Sequence, residues 1–193
     1  MVYIKEVKNM ENAKTTYTTK MLVLSALFTA IVAVCAQISI PIGPVPFTLQ
    51  VLAIFLASLI LPPKYAFLSL LVYDLLGAVG VPVFAGFSGG LSKFVGPTGG
   101  YLIAFPIAAF VTSYINTKKP LKNEIANSIL ALILGLAIIY IIGFLYLSWA
   151  AHMTLKKAFA AGVLPFIIPD IIKLAIAYLI ARAIKSRKAL NIA

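Results

Sequence analysis

Asp170 and Lys173 lie three residues apart in the apolar segment PFIIPDIIKLAIAYLIA, residues 165–181. This spacing places both side chains on one face of a helix. Because an ionisable side chain at a bilayer centre costs ~2.5–3.5 kcal/mol on insertion scales, we expect this face to look into a helix bundle or a polar cavity. Asp170 would accept hydrogen bonds from ligand N–H groups, and Lys173 would donate to a carbonyl or carboxylate. The alternative is a mutually neutralising pair that only packs.

A glycine-rich stretch, GGLSKFVGPTGGY at residues 89–101, surrounds a single lysine, Lys93. The small residues before Tyr101 are expected to leave backbone N–H groups unpaired where a helix begins, and such a helix start attracts anions. Lys93 adds a full positive charge, so we expect a ligand carboxylate to bind here. The alternative for Lys93 is a surface lysine whose ammonium group reaches water.

Three further polar residues lie in or beside apolar segments. Asp74, in LLVYDLLGAVG, has no partner nearby in sequence; it is protonated, pairs with Lys173 across a bundle, or contacts ligand. Gln50, in FTLQVLAIF, is a weaker ligand-binding candidate. For Gln37, near the outer end of the first segment, contact with lipid head groups is a sufficient explanation.

The sequence offers little for catalysis or metal binding. Cys35 and His152 are the only cysteine and the only histidine, so we expect no intramolecular disulfide, no metal site and no cofactor. The chain has no phosphate-binding GxxxxGK[ST] loop. A membrane enzyme that uses Asp170 or Asp74 as a base is a rival hypothesis, but no paired carboxylates and no nucleophile–base pair support it.

The composition indicates an integral membrane protein. Of the 193 residues, 62% are hydrophobic and only 11% are charged, whereas soluble domains carry about a quarter charged residues. So much apolar surface cannot be hidden in one core of this size. The net charge of +11 does not indicate nucleic-acid binding, because the basic residues lie at the ends of apolar segments, where they set membrane topology.

Prolines, glycines and charges divide the chain into six apolar segments, which predict an all-α integral membrane protein with six transmembrane helices in residues 21–185. Segments two, three, four and six hold about 15–16 apolar residues, or ~22–24 Å of helix, which is short of the ~30 Å hydrocarbon core. We expect residues 1–20 to form a cytoplasmic tail and residues 186–193 a basic tail. The segments are Met21–Ile40, Phe47–Leu61, Tyr65–Gly80, Tyr101–Ile115, Ile125–Ala150 and Pro169–Ile184.

The basic residues predict the orientation, because cytoplasmic loops carry an excess of lysine and arginine. With the N-terminus inside, the outer loops hold three, Lys93, Lys156 and Lys157. This split favours a cytoplasmic location for both termini. The cytoplasmic side holds twelve: Lys5, Lys8, Lys14, Lys20, Lys64, Lys118, Lys119, Lys122, Arg182, Lys185, Arg187 and Lys188.

Two outward connections, residues 41–46 and 81–100, are expected to fill the outer leaflet beside the short segments. Irregular backbone at membrane depth is tolerated only where it is buried in protein or lines a wet cavity. We therefore predict that 81–100 folds over the outer face as a lid or pocket wall. The alternative is an ordinary mobile loop, but Phe84 and Phe87 argue against full solvation.

Two sequences, GVPVFAGFSGGLSKFVGPTGGYL (80–102) and GVLPFIIPDIIKLAIA (162–177), resemble the BioY family, the biotin-binding S components of energy-coupling factor transporters. The resemblance extends over residues 21–185. It implies a six-helix bundle that binds biotin in an outward-opening pocket, capped by the first and third connections. It also implies that Asp170 and Lys173 contact the ureido ring of biotin.

The resemblance further implies partners in the cell membrane. Ala26 and Ala30, in ALFTA of the first segment, would pack on a transmembrane coupling subunit that joins two ATPases. Small residues at this spacing let another helix approach closely, although internal packing also explains them. The carboxylate role of Lys93 comes from its charge and not from the resemblance.

The chemistry of biotin fits these residues. Its ureido group suits Asp170 and Lys173, its carboxylate suits Lys93, and aromatic side chains are available to enclose its rings. We therefore expect a biotin-capturing transport subunit without enzymatic activity. The alternatives are capture of another vitamin and a stand-alone biotin carrier. The aromatic candidates are Phe47, Phe84, Phe87 and Tyr101.

Overall fold

Eight α-helices and one short β-hairpin form the fold in the computed structural model, which describes the backbone of residues 2–187 and the side chains of residues 15, 16 and 18–187. A single 3₁₀ turn, Leu164–Phe166, precedes the last helix. The elements are α1 (Val2–Gln37), β1 (Ser39–Ile40), β2 (Phe47–Thr48), α2 (Gln50–Ile60), α3 (Pro63–Ala78), α4 (Ser92–Val95), α5 (Gly99–Lys118), α6 (Glu124–Ala150), α7 (Leu155–Gly162) and α8 (Ile167–Ser186).

Four helical stretches of the described chain are long and apolar enough to cross a bilayer, and they confirm the helical membrane architecture. The helices α2 and α3 have only 11 and 16 residues, so the count of six spans stays a prediction. The four stretches are Thr18–Gln37, Gly99–Lys118, Glu124–Ala150 and Leu155–Ser186.

Several predicted boundaries are wrong because a hairpin forms where helix was expected. The strands β1 and β2 pair antiparallel, with Ser39 opposite Thr48, so the first helix ends at Gln37 rather than Ile40, and α2 begins at Gln50 rather than Phe47. Both α5 and α8 have 20 residues, so the shortness expected of segments four and six is also wrong.

The chain ends differ from the predicted tails in one respect. Residues 2–20 continue α1 without a break, so this helix extends well beyond the predicted first span. The predicted basic tail begins at the end of α8, and residues 188–193 lie outside the described part of the chain. The domain boundaries at residues 20 and 185 stay predictions.

Buried hydroxyl groups join α1 to α3. Thr29 Oγ1 donates to the Ser69 carbonyl at 2.8 Å, and Ser25 Oγ is 3.3 Å from the Tyr65 carbonyl. Polar side chains between helices stabilise bundles in lipid, where water cannot replace them. This inward face of α1 leaves Ala26 and Ala30 on the opposite, exposed face.

The helices α2, α5, α6 and α8 surround the centre of the bundle. The α5–α6 pair packs closely because Gly135 has no side chain; a Cβ atom there would overlap the Thr112 hydroxyl. Phe55 of α2 is fully buried beside the same glycine. At one end of the bundle, where α5 and α8 begin, these helices separate and enclose a cavity.

Candidate ligand-binding site

The cavity has a volume of about 510 Å³, within the ~300–1,000 Å³ typical of small-molecule sites. Several residues of the connection 81–100, including Phe84 and Lys93, supply one wall, and residues 44–46 of the hairpin loop supply another part. The prediction that the connection 81–100 forms a pocket wall is therefore confirmed. Most of the remaining wall is apolar, with a few polar side chains that converge from α2, α6 and α8.

Asp170 and Lys173 lie in this wall and form a buried ion pair. As whole residues, Asp170 and Lys173 are 2% and 4% exposed, and Lys173 Nζ lies 2.7 Å from Asp170 Oδ1. The hydroxyl of Tyr140, on α6, donates to Asp170 Oδ2 at 2.8 Å. Because each carboxylate oxygen has two lone pairs, each oxygen of Asp170 keeps one for a further donor.

The hairpin places an aromatic ring against the lysine. Lys173 Nζ lies 3.9 Å from the centroid of the Phe47 ring, and Phe47 stacks on Phe166 with centroids 6.5 Å apart. A cation above an aromatic face is stabilised by the negative face of the ring. The β2 strand that replaced the predicted helix start thus holds the expected aromatic residue beside the charge.

Gln50 belongs to a hydrogen-bonded network on the cavity wall. Its Oε1 accepts from the Thr48 hydroxyl at 3.0 Å, and its Nε2 lies 2.7 Å from the Tyr73 hydroxyl. The Tyr73 hydroxyl in turn donates to the Val83 carbonyl at 3.2 Å. This network ties the hairpin, α2 and α3 to the connection that covers the cavity.

Tyr101 and Phe84 complete the aromatic wall. The Tyr101 hydroxyl donates to the Gly162 carbonyl at 2.8 Å, and a side chain at Gly162 or Gly143 would overlap Tyr101. Phe84 is 3% exposed and occupies the space that a side chain at Gly77 would need. Both rings are held in place by close packing against glycines.

Lys93, half-buried on α4, lines the same cavity. The glycines that follow it serve packing more than anion binding. The N–H of Gly99 donates to the Gly96 carbonyl at 3.0 Å, and that of Tyr101 to the Thr98 carbonyl at 3.1 Å, so the expectation of unpaired amides at this helix start is wrong for these two. A side chain at Gly99 would overlap the Phe94 carbonyl.

Three of the residues expected at the site, Phe47, Phe87 and Asp74, lie outside the cavity wall. Phe87 is 72% exposed, with a left-handed φ of 53°. Asp74 is buried, and its Oδ1 has no hydrogen-bond partner among the described residues. Since the salt bridge of Lys173 is with Asp170, the hypothesis that Asp74 pairs with Lys173 is wrong. Protonation of Asp74 and its contact with ligand stay hypotheses.

Two polar residues have roles that the sequence did not reveal. Tyr140 carries the single hydroxyl group in the apolar run LAIIYIIG. This isolated polar group is the one sequence feature that points to its role. Gln37 does not simply face lipid head groups: its Nε2 donates to the carbonyls of Val83 and Phe84 at 3.1 and 3.3 Å, and its Oε1 accepts from the Phe87 N–H at 2.8 Å. It anchors the cavity wall to α1.

The arrangement suits a compact ligand with a polar head and an apolar body. A carboxylate, an ammonium group and a phenol converge on one patch, and aromatic rings border it. The described residues contain no cluster of histidine, cysteine and acidic side chains that could hold a metal ion.

Comparison with known proteins gives a consistent result. The profile of the BioY family matches residues 8–189. The chain is 51% identical over 162 residues to a probable biotin transporter BioY of Pyrococcus horikoshii, covering 84% of this chain and 94% of the relative. It is 45% identical over 166 residues to the biotin transporter BioY of Thermotoga maritima, covering 86% and 96%. These relatives are transporters, not enzymes.

A solved structure is also similar. It is the crystal structure of the S-component for biotin from an ECF-type ABC transporter, with a TM-score of 0.80 and 31% identity over 88% of this chain and 92% of that one. The likeness therefore extends to the fold of nearly the whole chain.

Proposed function

Because the chain belongs to the BioY family, we propose that it is a membrane subunit that captures biotin in the cavity beside Asp170 and Lys173 and delivers it for uptake. The single observation that carries this proposal is the buried ion pair in the cavity wall. Burying two charges is costly unless further hydrogen bonds satisfy them, and a polar ligand in the cavity would supply those bonds.

The ureido group of biotin matches the polar patch. It has two N–H donors and one carbonyl acceptor. Asp170 keeps a free lone pair on each oxygen, because Lys173 and Tyr140 use only one on each side. Lys173 donates one proton to Asp170 and has two left, one of which would bind the ureido oxygen.

The rest of biotin would extend along the aromatic wall. Phe84 and Tyr101 border the space for the apolar ring system, with Phe47 packed against Lys173, and Gln50 shapes the wall through its network with Tyr73. The carboxylate would lie near Lys93. Replacing Lys93 with glutamine should weaken binding of biotin but not of biotinamide, whose tail is neutral, and the matched control is Lys156→Gln on exposed α7.

The most direct functional experiment titrates detergent-purified protein with labelled biotin, thiamine and riboflavin. We expect saturable binding of biotin alone. Asp170→Asn should weaken it on the order of 10- to 100-fold, since hydrogen bonds to charged groups contribute ~1.5–3 kcal/mol. Glu124→Gln, the same chemical change at the exposed opposite end, should leave it unchanged. Preferential binding of thiamine or riboflavin would contradict biotin as the ligand.

The proposal includes the finer architecture that the sequence predicts: six spans in residues 21–185 of the plasma membrane, with both termini cytoplasmic. A cysteine-scanning experiment in a Cys35→Ser background tests it. An impermeant maleimide added to intact cells should label Lys156→Cys but not Lys119→Cys. Equal labelling of both would contradict the orientation.

The coupling step is proposed to use the exposed face of α1. Ala26 and Ala30 are exposed there, and small residues allow a partner helix to approach closely. The chain carries no phosphate-binding loop, so a coupling subunit and ATPases would supply the energy. Ala26→Trp with Ala30→Trp should spare biotin binding and abolish coupled uptake, whereas Ala175→Trp, exposed on α8, should leave both binding and uptake unchanged.

Uptake assays in cells that lack coupling subunits distinguish a stand-alone biotin carrier from a subunit that needs partners. If uptake persists at the wild-type level in cells without coupling subunits and the tryptophan variant transports normally, the docking role of α1 is wrong.

A further inference from the structure

A second cleft lies at the end of the bundle opposite the biotin cavity. Its volume is about 550 Å³. It is reached from Asp170 by following α8 to its last two turns, about 22 Å along the helix at 1.5 Å per residue. Its lining comes from the end of α5, the start of α6 and the end of α8, and includes Lys119, Glu124, Arg182 and Lys185.

The charges in this cleft do not balance. Three basic side chains face one carboxylate, and Glu124 is already paired with Lys119. The structure gives Arg182 and Lys185 no salt bridge among the residues it describes. Both are nonetheless close enough to Glu124 for their charges to act on it. Two positive charges are therefore left to attract an anion.

Neutral polar groups lie beside these cations. The Ser128 hydroxyl and the Asn116 side-chain oxygen are 3.1 Å apart. Asn127 is 1% exposed and bonds the Ile115 carbonyl through Nδ2 at 3.2 Å, which fixes the turn between α5 and α6. The cleft is thus a formed site with a rigid polar side and not only a set of surface lysines.

The cleft opens where lipid would lie. The exposed faces of α6 and α8 next to it carry large apolar side chains: Ile125 is 46% exposed, Ile129 47% and Ile180 37%. In a bilayer these side chains contact acyl chains, so the head group of a neighbouring lipid would lie level with Arg182 and Lys185. In the proposed orientation this end faces the cytoplasm, where basic pockets between transmembrane helices bind anionic head groups.

We propose that this cleft binds the phosphate of an anionic phospholipid head group, with Arg182 and Lys185 as its main ligands and Lys119 beside them. Arginine presents several donors to phosphate oxygens in a planar fork. The bound lipid would bridge α8 to the α5–α6 pair, since α8 packs mainly on α2 while α5 packs on α6. This site is independent of the proposed biotin site.

Native mass spectrometry of the detergent-purified protein, titrated with phosphatidylglycerol and separately with phosphatidylcholine, tests the proposal. We expect phosphatidylglycerol to bind more tightly. The double variant Arg182→Gln with Lys185→Gln should weaken it on the order of 30-fold, from about fivefold for each basic residue near an anionic surface. The matched control is Lys156→Gln with Lys157→Gln, which removes two exposed charges from α7.

The remaining outcomes are decided in the same experiment. The double variant must elute as a single species and unfold at the wild-type temperature without added lipid. If it fails this test, the single variant Arg182→Lys, which keeps the positive charge, is used in its place. Stabilisation by inorganic phosphate alone, without preference between the two lipids, would support the phosphate site but assign it to a free anion. The proposed lipid site would be overturned if both lipids bound equally and inorganic phosphate did not stabilise the protein. It would also be overturned if the α7 control lost as much phosphatidylglycerol affinity as the double variant.

Discussion

Two acid–lysine pairs at opposite ends of the bundle show what burial does to the same chemistry. Asp170 and Lys173 have side chains that are 3% and 5% exposed, whereas Glu124 and Lys119 are 75% and 56% exposed. The first pair has a tyrosine hydroxyl and an aromatic face around it. The second lies in the turn between α5 and α6, where α6 begins.

Only the buried pair needs a function to explain it. An exposed pair is largely screened by water and contributes ~0–1 kcal/mol. A buried pair loses hydration worth several kcal/mol per ion, so its attraction alone does not account for its presence. The cavity beside Asp170 and Lys173 explains the pair, because a polar ligand there would form hydrogen bonds with the donors and acceptors that the pair does not use.

The largest expected effect comes from breaking the buried pair. Lys173→Met leaves Asp170 without its cation, and we expect the free energy of unfolding in mixed micelles to fall by about 3–5 kcal/mol. Asp170→Asn with Lys173→Met removes both charges and should recover most of that loss while still binding no biotin. Equal destabilisation in the single and double variants would show that the two charges do not stabilise each other.

A smaller effect should follow from crowding the start of α5. A Cβ atom at Gly99 would overlap the Phe94 carbonyl, which belongs to the backbone and cannot rotate away. Gly99→Ala should therefore lower stability by about 1–3 kcal/mol, as overpacking usually does. Gly96→Ala is the control, since its nearest contact is 3.3 Å from the Ser92 carbonyl. A greater loss at Gly96 would contradict the packing explanation.

Removing the Tyr140 hydroxyl should have a still smaller effect, on ligand binding. Tyr140→Phe deletes the donor to Asp170 Oδ2 and should weaken biotin binding about two- to tenfold, from ~0.5–1.5 kcal/mol for one hydrogen bond. Tyr114→Phe, exposed on α5, should change nothing. Wild-type affinity for Tyr140→Phe, measured by equilibrium binding of labelled biotin, would show that the phenol does not orient Asp170 for the ligand.

The smallest effect is expected at the exposed pair. Glu124→Gln breaks the contact with Lys119 and should change the free energy of unfolding by no more than ~1 kcal/mol. The change should shrink as salt is added, because salt screens exposed charges. A loss of unfolding free energy as large as that of Lys173→Met would contradict the explanation that burial distinguishes the two pairs.

Much of the fold and the polar centre of the site could be predicted from the sequence. Long apolar runs predict helices, and two charges three residues apart in such a run predict a shared, sheltered face. The hairpin at Phe47 could not be predicted, because two-residue strands leave no periodicity. The role of Tyr140 depends on how α6 is rotated against α8, and that of Gln37 on where the connection 81–100 folds back. Neither is a local property of the sequence.

Phe87 shows the same limit from the other direction. Its aromatic ring suggested a wall residue, but the left-handed backbone at this position points it away from the cavity. Composition predicts that a side chain is apolar, whereas only the backbone conformation determines which side of the loop it occupies.

A structure of the protein with biotin bound would show directly whether the buried ion pair contacts the ligand. We predict the ureido group within hydrogen-bond distance of the Asp170 carboxylate and the Lys173 ammonium, with the ring system against Phe84 and Tyr101. Biotin bound elsewhere, with Asp170 and Lys173 contacting only each other and Tyr140, would contradict it.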